Sequence, residues 1–213
     1  RTYDVGRDGE QRFLTMELVP GEPLGEIVRR GERLSLAEAL RVAEHIARGL
    51  SAAHAAGVVH RDLKPENVIR CPGTNGRVVI TDFGIARLAE RTGEDITGAQ
   101  VIGTPSYMAP EQLVAEEIDG RTDVYALGTL LFELLTGELP FRRDTLPQSI
   151  AARLMEEPPD PRSIDPALPE PVARLIVRAL ARKREDRPDA ESMLQSIELL
   201  RGGGGHERAP SAT

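Results

Sequence analysis

Cysteine and lysine are the two residue types that this sequence nearly lacks. Its 213 residues contain one cysteine, Cys71, so no internal disulfide can form, which favours a reducing compartment. A single cysteine of this kind is expected to be a small structural apolar residue. Of the 27 basic side chains only Lys64 and Lys183 are lysines, so any role that needs a lysine falls on one of these two.

Other absences narrow the class of protein. The net charge is −7 and no stretch interleaves basic with aromatic residues, which argues against nucleic-acid binding. The longest apolar run, VYALGTLLFELL at 124–135, is interrupted by Glu133 and is too short to span a bilayer. The polar start RTYDVGRDGEQR shows no signal peptide. With 40% hydrophobic and 29% charged residues, the composition is that of a soluble globular protein.

Extended segments are expected mainly in the first half of the chain. Residues 1–19 are predicted to form a hairpin around the turn RDGEQ. The sequence PGEP at 20–23 breaks this pattern, and a helix at 23–30 follows. Two short strands are predicted around 66–70 and 77–81.

Helical patterns dominate the rest. Ser35 opens the capping box SLAE, and apolar residues at helical spacing then predict a long amphipathic helix to about Ala56. Residues 85–110 have no sustained periodicity and indicate a long loop, which in a compact domain is more often functional than idle. The segment 123–136 is apolar on nearly every face and is predicted to be a buried central helix. Further helices are expected at 145–156, 170–182 and 189–200.

The stretch HRDLKPEN carries the candidate chemistry. It places an acid, a lysine and an asparagine at fixed offsets, Asp62, Lys64 and Asn67, a set suited to moving a phosphoryl group. It is followed by DFG and then by APE. These three motifs, in this order and spacing, resemble the eukaryotic-like Ser/Thr protein kinases, especially their bacterial branch, over roughly residues 1–200.

The resemblance implies an α+β, protein-kinase-like fold, mainly the helical C-terminal lobe with the last hairpin and the hinge of the N-terminal lobe. A partial kinase domain would then cover 1–201, with the hairpin at 1–19, the hinge at 20–24 and the helical lobe at 25–201. Residues 202–213, rich in glycine, are expected to form a flexible linker.

The resemblance assigns catalytic roles to the loop residues. Asp62 matches the acid that accepts the substrate hydroxyl proton and orients its oxygen, and Lys64 matches the lysine that contacts the transferred phosphate. Asn67 and Asp82 match the ligands of Mg²⁺, a hard cation that prefers oxygen donors and shares them with ATP. The alternative reading is that these are turn residues of a polar loop.

Subclass and regulation also follow from the resemblance. The run DLKPEN and the segment GTPSYMAPE are typical of Ser/Thr kinases, in which Thr104 contacts the catalytic acid and lysine. The substrate is therefore expected to be a protein hydroxyl. Arg61 precedes the catalytic acid, as in kinases that are switched by phosphorylation of the activation loop. Thr97 is the first candidate acceptor and Thr92 the second, and self-phosphorylation in trans is a possible route.

Several residues match structural positions of the family. Glu111 of APE is expected to pair with Arg187 as a buried ion pair that ties the loop to the helical lobe. Asp123 is expected to accept hydrogen bonds from the backbone around residues 60 and 61. His60 is expected to pack under Phe83 rather than to act in catalysis. His54, on the long helix, is expected to be an ordinary helix residue.

The first residues resemble the strand and hinge that bind adenine. Met16 would lie behind the ring, while the Glu17 carbonyl and the Val19 backbone would bond its edge. Leu24 and Ile69 would form the floor beneath it. For Met16, simple packing in the strand is nearly as good an interpretation.

The nucleotide clamp of the family has no match in this sequence. No G-x-G-x-x-G precedes residue 20, and no lysine is left over for the strand position that grips the phosphates. The chain is therefore expected to be a fragment with weak nucleotide binding and little activity. A lone two-stranded hairpin should also be only marginally stable.

Three functions remain open at this stage. The first is a Ser/Thr kinase of bacterial signalling that uses ATP and Mg²⁺ and acts on proteins. The second is a truncated, kinase-like binding or scaffold module without catalysis. The third is a small-molecule phosphotransferase, which the APE segment disfavours. The expected location is cytoplasmic, or the cytoplasmic face of a membrane if a transmembrane segment follows the linker.

Overall fold

Seven helices and five strands make up the part of the chain that the computed structural model describes, which is residues 2–9, 11–73, 76–83 and 105–203. The strands are β1 (Thr2–Asp8), β2 (Gln11–Met16), β3 (Glu22–Pro23), β4 (Val68–Arg70) and β5 (Val78–Ile80). The helices are α1 (Leu24–Arg29), α2 (Leu36–Ala55), α3 (Pro110–Leu113), α4 (Gly120–Thr136), α5 (Leu146–Met155), α6 (Glu170–Ala179) and α7 (Ala190–Gly203).

Helix α4 is the centre of the helical part. Every residue from Thr122 to Thr136 is buried, because this helix is apolar on nearly all faces and other helices surround it. The Asp119 side chain caps its first turn by accepting a hydrogen bond from Arg121 N, and Gly137 ends it in the left-handed conformation. Helices α2, α6 and α7 pack against α4 and complete one continuous apolar core.

Helix α2 has the amphipathic form that its sequence predicts. Ser35 Oγ accepts a hydrogen bond from Glu38 N, while the Glu38 carboxylate accepts one from Ser35 N, which is the predicted capping box. Its apolar stripe is buried against α4 and α7. On its outer side Arg48 bridges Glu44 and Glu198, a link between α2 and α7.

The strands form two separate small sheets. β1 and β2 pair antiparallel, with Asp8 opposite Gln11 next to the turn. Large apolar side chains of this hairpin, Tyr3, Phe13 and Met16, are exposed. The second sheet has the antiparallel order β3-β4-β5, and its middle strand β4 directly follows the HRDLKPEN loop along the chain. This loop therefore lies between the end of α2 and the start of β4 along the chain.

The predicted elements are confirmed within a few residues, with some exceptions. Helix α4 begins at Gly120 rather than at residue 123, and α3 begins at the last residue of the predicted loop 85–110, most of which lies outside the described residues. Helix α7 extends through Gly203, two residues into the predicted linker. Among the described residues no helix is both long enough and apolar enough to cross a bilayer.

Gly128 tests how tightly α4 and α6 pack. A Cβ at this position would lie 2.8 Å from Ala179 Cβ on the facing helix, which leaves no room for it. Gly128→Ala should lower the free energy of unfolding by about 1–3 kcal/mol, because overpacking forces the helices apart.

Gly202→Ala is the matched control for this substitution. No heavy atom lies within 4 Å of a Cβ at Gly202, so alanine there should be neutral, or stabilising by up to about 1 kcal/mol through helix propensity. Urea unfolding followed by circular dichroism measures both variants. Equal stability of Gly128→Ala and the parent chain would contradict the close approach of α4 and α6.

Candidate active site

The structure brings the three predicted loop residues into direct contact. Lys64 Nζ lies 2.7 Å from Asp62 Oδ2. Asn67 Nδ2 donates to the Asp62 carbonyl at 2.8 Å and approaches Asp62 Oδ2 at 3.3 Å. Asn67 is buried, whereas the Asp62 side chain is 38% exposed. The Asp62 carboxylate is therefore accessible to solvent, while the buried Asn67 side chain holds the Asp62 backbone. The arrangement places a hydrogen-bond acceptor, the Asp62 carboxylate, beside a positive charge, the Lys64 ammonium group.

Asp123 holds the backbone that leads into Asp62. Its Oδ2 accepts from His60 N and its Oδ1 from Arg61 N, both at 2.8 Å, which confirms the predicted contact. Arg61 has φ +68°, a left-handed conformation that is costly for a residue with a side chain. The two hydrogen bonds to a buried carboxylate stabilise this conformation. Asp123, a residue of helix α4, therefore holds the backbone conformation directly before Asp62.

His60 joins the two halves of the site. Asp62 N donates to His60 Nδ1 at 3.3 Å, so the ring hydrogen is assigned to Nε2, which donates to the Thr81 carbonyl at 2.8 Å. The ring meets Phe83 edge-on, with centroids 4.6 Å apart, which confirms the predicted packing. Through His60 the loop is coupled to the segment that carries Asp82.

Asn67 and Asp82 each carry a side-chain oxygen of the kind that binds Mg²⁺. Thr81 N donates to the Asn67 carbonyl at 2.8 Å, which fixes the position of the segment before Asp82. Asp82 is exposed with φ +62°, and the bonds of Asn67 Nδ2 leave Asn67 Oδ1 as the oxygen available to a cation. In the described chain no three His, Cys, Asp or Glu side chains cluster as a metal site. These two oxygen donors therefore suit a cation that takes its other ligands from phosphate and water.

His54 is a residue that the sequence analysis undervalued. Its Nε2 donates to Asp123 Oδ2 at 2.7 Å, although the two residues are 69 positions apart. An added Cβ at Gly120 would lie 2.5 Å from His54 Nδ1, so only glycine leaves space for the ring. The prediction of an ordinary helix residue is wrong, because His54 supports the carboxylate that holds the HRDLKPEN loop. An interaction over this distance leaves no signal in helical periodicity.

Glu111 and Arg187 form the predicted buried ion pair. Arg187 Nη1 and Nη2 lie 2.7 and 2.8 Å from the two carboxylate oxygens, and Thr122 Oγ1 donates to Glu111 Oε1 at 2.7 Å. The other guanidinium hydrogens bond the carbonyls of Ala181, Arg182 and Arg121. Every donor of the buried arginine is thus satisfied. Burial raises the pKa of Glu111, but hydrogen bonds and charge from Arg187 outweigh it and lower the pKa below 4.5.

The residues predicted to contact adenine differ in their accessibility. Met16 and Glu17 are exposed, and Val19 and Ile69 are half-buried, so each of these has surface for a ligand. Leu24 is fully buried and packs in the apolar core, which corrects its predicted place in the floor beneath adenine. Leu24, the first residue of α1, is therefore part of the core.

Three predicted residues lie outside the described part of the chain. They are Thr104, Thr97 and Thr92. The contact of Thr104 with the catalytic acid and the two phosphorylation sites therefore stay predictions. The role of Arg61 in such a switch stays a prediction as well.

Comparison with known proteins agrees with this geometry. Residues 1–197 match the family model described as protein kinase domain, and the chain belongs to this family. It is 41% identical over 187 residues to the serine/threonine-protein kinase Pkn1 of Myxococcus xanthus, covering 87% of this chain and 27% of that protein. It is 43% identical over 169 residues to PknA of Mycobacterium tuberculosis, covering 79% and 38% respectively.

A solved structure shows the same fold. The crystal structure of Rad53 1-466 in complex with AMP-PNP superposes with a TM-score of 0.76 and 25% identity. The match covers 92% of this chain and 50% of that one. The predicted family and the kinase-like α+β fold are confirmed. The chain spans less than two fifths of the length of the bacterial relatives named here.

The ion pair of Glu111 should make stability depend on pH. Because the folded-state pKa lies below the unfolded value, its contribution is complete above about pH 4.5 and is lost as the pH falls through the folded value. Glu111→Gln should cost about 3–5 kcal/mol at neutral pH, since it leaves Arg187 buried without a counter-ion. The Glu111→Gln variant should also lose less of its free energy of unfolding than the parent as the pH falls below about 4.5.

Urea unfolding from about pH 7 to about pH 3 measures both effects. Glu117→Gln is the control, because Glu117 is an exposed partner of Arg184 and its loss should change stability by about 0–1 kcal/mol. An unchanged acid limb in Glu111→Gln would contradict the assigned pKa direction.

Removal of His54 should loosen the loop amides. In His54→Ala, the N–H groups of His60 and Arg61 should exchange with deuterium about tenfold faster, because Asp123 loses a charge-assisted hydrogen bond of about 1.5–3 kcal/mol. His45→Ala is the control from the same helix, since none of the hydrogen bonds that Asp123 accepts in the described residues comes from His45. Hydrogen exchange followed by NMR measures the rates of the His60 and Arg61 amides in both variants. Equal protection in the two variants would show that His54 does not support the loop.

Proposed function

We propose that this protein is a serine/threonine kinase that transfers the γ-phosphate of ATP to hydroxyl groups of proteins. The observation that carries the proposal is the contact of Lys64 with Asp62, on a loop that Asn67 and Asp123 hold from two sides. Its relatives, which bear the name serine/threonine-protein kinase, support the same activity.

Asp62 positions the acceptor hydroxyl in this proposal. Its carboxylate is partly exposed and accepts hydrogen bonds, so it can take the hydroxyl hydrogen and aim the oxygen at phosphorus. A loose transition state requires placement more than a strong base, which an ordinary carboxylate provides. Lys64 adds a positive charge beside the oxygens on which negative charge develops.

Asn67 and Asp82 would hold Mg²⁺ through their side-chain oxygens. When bound, the cation neutralises the phosphates of ATP. The chain would contribute a neutral and a charged oxygen, and the hydrogen bond from Thr81 N to the Asn67 carbonyl links the two segments that carry them. Met16, Glu17, Val19 and Ile69 are the proposed contacts of the adenine ring.

Protein substrates and a regulated activation loop belong to the same proposal. The residues DLKPEN support Ser/Thr acceptors, with Thr104 as the proposed contact of Asp62 and Lys64. Thr97, and then Thr92, are the proposed sites of phosphorylation in trans. Phosphopeptide mapping between residues 90 and 100 of active protein tests the last point.

Phosphate transfer is the direct test of this function. The natural protein that carries these residues is incubated with Mg²⁺, γ-labelled ATP and a generic protein substrate. Asp62→Asn should reduce transfer by about 10²–10⁴-fold, because the acceptor hydroxyl loses its base and its orientation. The control is Asp144→Asn, a change of the same chemistry at an exposed position far along the chain from the loop.

The outcomes separate the three candidate functions. Labelled phosphoserine or phosphothreonine on protein, lost in Asp62→Asn and kept in Asp144→Asn, supports the proposal. Absence of transfer by the parent protein, with intact folding, favours a binding or scaffold module. Transfer to small-molecule alcohols but not to protein would identify a small-molecule phosphotransferase.

A further inference from the structure

A second buried arginine lies outside the catalytic loop and outside the Glu111 ion pair. Arg153, in the last turn of α5, is only 5% exposed. Its Nη2 donates to Ser106 O at 2.9 Å, and its Nη1 donates to Met108 O at 3.0 Å and to Pro105 O. In the described part of the chain its partners are thus main-chain carbonyls rather than a carboxylate. The Arg153 guanidinium therefore binds the main chain of residues 105–108.

The backbone that Arg153 holds adjoins the catalytic loop. It runs through the turn Pro105–Tyr107 into Ala109, whose N–H donates to Gln112 Oε1 at 2.9 Å. Gln112 Nε2 in turn donates to the Arg61 carbonyl at 2.7 Å. Arg61 is the residue before Asp62, so Gln112 links the end of segment 105–109, at Ala109, to the residue that precedes the proposed acceptor-positioning carboxylate. A protein hydroxyl bound at Asp62 must bring its neighbouring residues against this segment.

The same segment has room to move if Arg153 is lost. On one side the Tyr107 hydroxyl donates to the Glu133 carboxylate of α4. On the other side a cavity of about 230 Å³ is lined by Ser106, Phe141, Leu146 and Arg153 among others. Side chains do not fill this space, so on this side packing does not fix the position of Ser106. The three hydrogen bonds of Arg153 supply that constraint.

We propose that Arg153 is a positioning residue that fixes the 105–108 backbone as part of the surface on which the substrate chain lies. This proposal rests on the proposed kinase function, because it concerns the binding of a protein acceptor. Arginine suits the role because its planar, forked set of donors reaches three carbonyls at once. Lysine offers a similar charge from a single nitrogen and cannot span the same carbonyls.

Hydrogen exchange tests the structural half of the proposal without any assay of activity. Arg153→Met keeps the apolar stem and removes the donors, and Arg153→Lys keeps the charge. The amides of Met108 and Ala109 should exchange about tenfold faster in Arg153→Met than in the parent, with a smaller change in Arg153→Lys. Amides of α2 and α7 serve as the internal reference for global stability.

Arg143→Met is the matched control, because Arg143 is an exposed arginine near α5 whose partner is Glu156. It should leave the two amides unchanged. Unchanged exchange at Met108 and Ala109 in Arg153→Met would overturn the proposal. Acceleration of all amides by the same factor would do so too, since it would mean only a general loss of stability.

Steady-state kinetics of the natural protein test the functional half. In Arg153→Met the KM for a protein or peptide acceptor should rise about tenfold or more, while the KM for ATP stays unchanged. Arg153→Lys should recover part of the loss. A lower kcat with both KM values unchanged would overturn the positioning role. If the parent transfers no phosphate, the kinase function fails, and hydrogen exchange still decides whether Arg153 holds the segment.

Discussion

The carboxylate of Asp123 is the group on which the candidate active site depends. It is buried in the first turn of the central helix and accepts hydrogen bonds from His60 N, Arg61 N and the His54 ring. A buried carboxylate is costly unless its hydrogen bonds are satisfied, and these three donors provide that satisfaction. The same bonds fix a left-handed residue directly before Asp62. The stability of the core and the geometry of the loop are therefore coupled.

Two buried arginines connect the remaining segments to this centre. Arg187 pairs with Glu111 and uses all of its donors, which fixes helix α3 against the helical core. Arg153 bonds carbonyls of 105–108, the segment that leads into α3. Buried charges like these contribute little net stability, but they specify one arrangement, because any other leaves a charge without partners. We infer that they serve to define the surface around the catalytic loop.

Family membership agrees with this picture and also limits it. The match to the protein kinase family covers almost the whole chain, and the Rad53 structure has the same fold. The bacterial relatives are much longer than the region they share with this chain. The hairpin β1–β2 leaves the apolar side chains of Phe13 and Met16 exposed.

The sequence by itself determined the local elements and the identity of the loop residues. The capping box at Ser35 and the apolar faces of α2 and α4 are properties of neighbouring residues, so periodicity predicted them well. The resemblance of the motifs to the kinase family singled out Asp62, Lys64 and Asn67 and implied the pair of Glu111 and Arg187. Helix α3 escaped prediction because four residues are too few for a periodic pattern.

Only the tertiary structure decided which distant side chains support the site. The bond of His54 to Asp123 and the carbonyl contacts of Arg153 join residues that are 69 and 45–48 positions apart. The burial of Leu24 was equally invisible, since any leucine at the start of a helix can face a ligand or a core. Such contacts depend on how helices pack, and helix packing depends on many side chains at once. Local patterns therefore fix the elements, while packing fixes their partners.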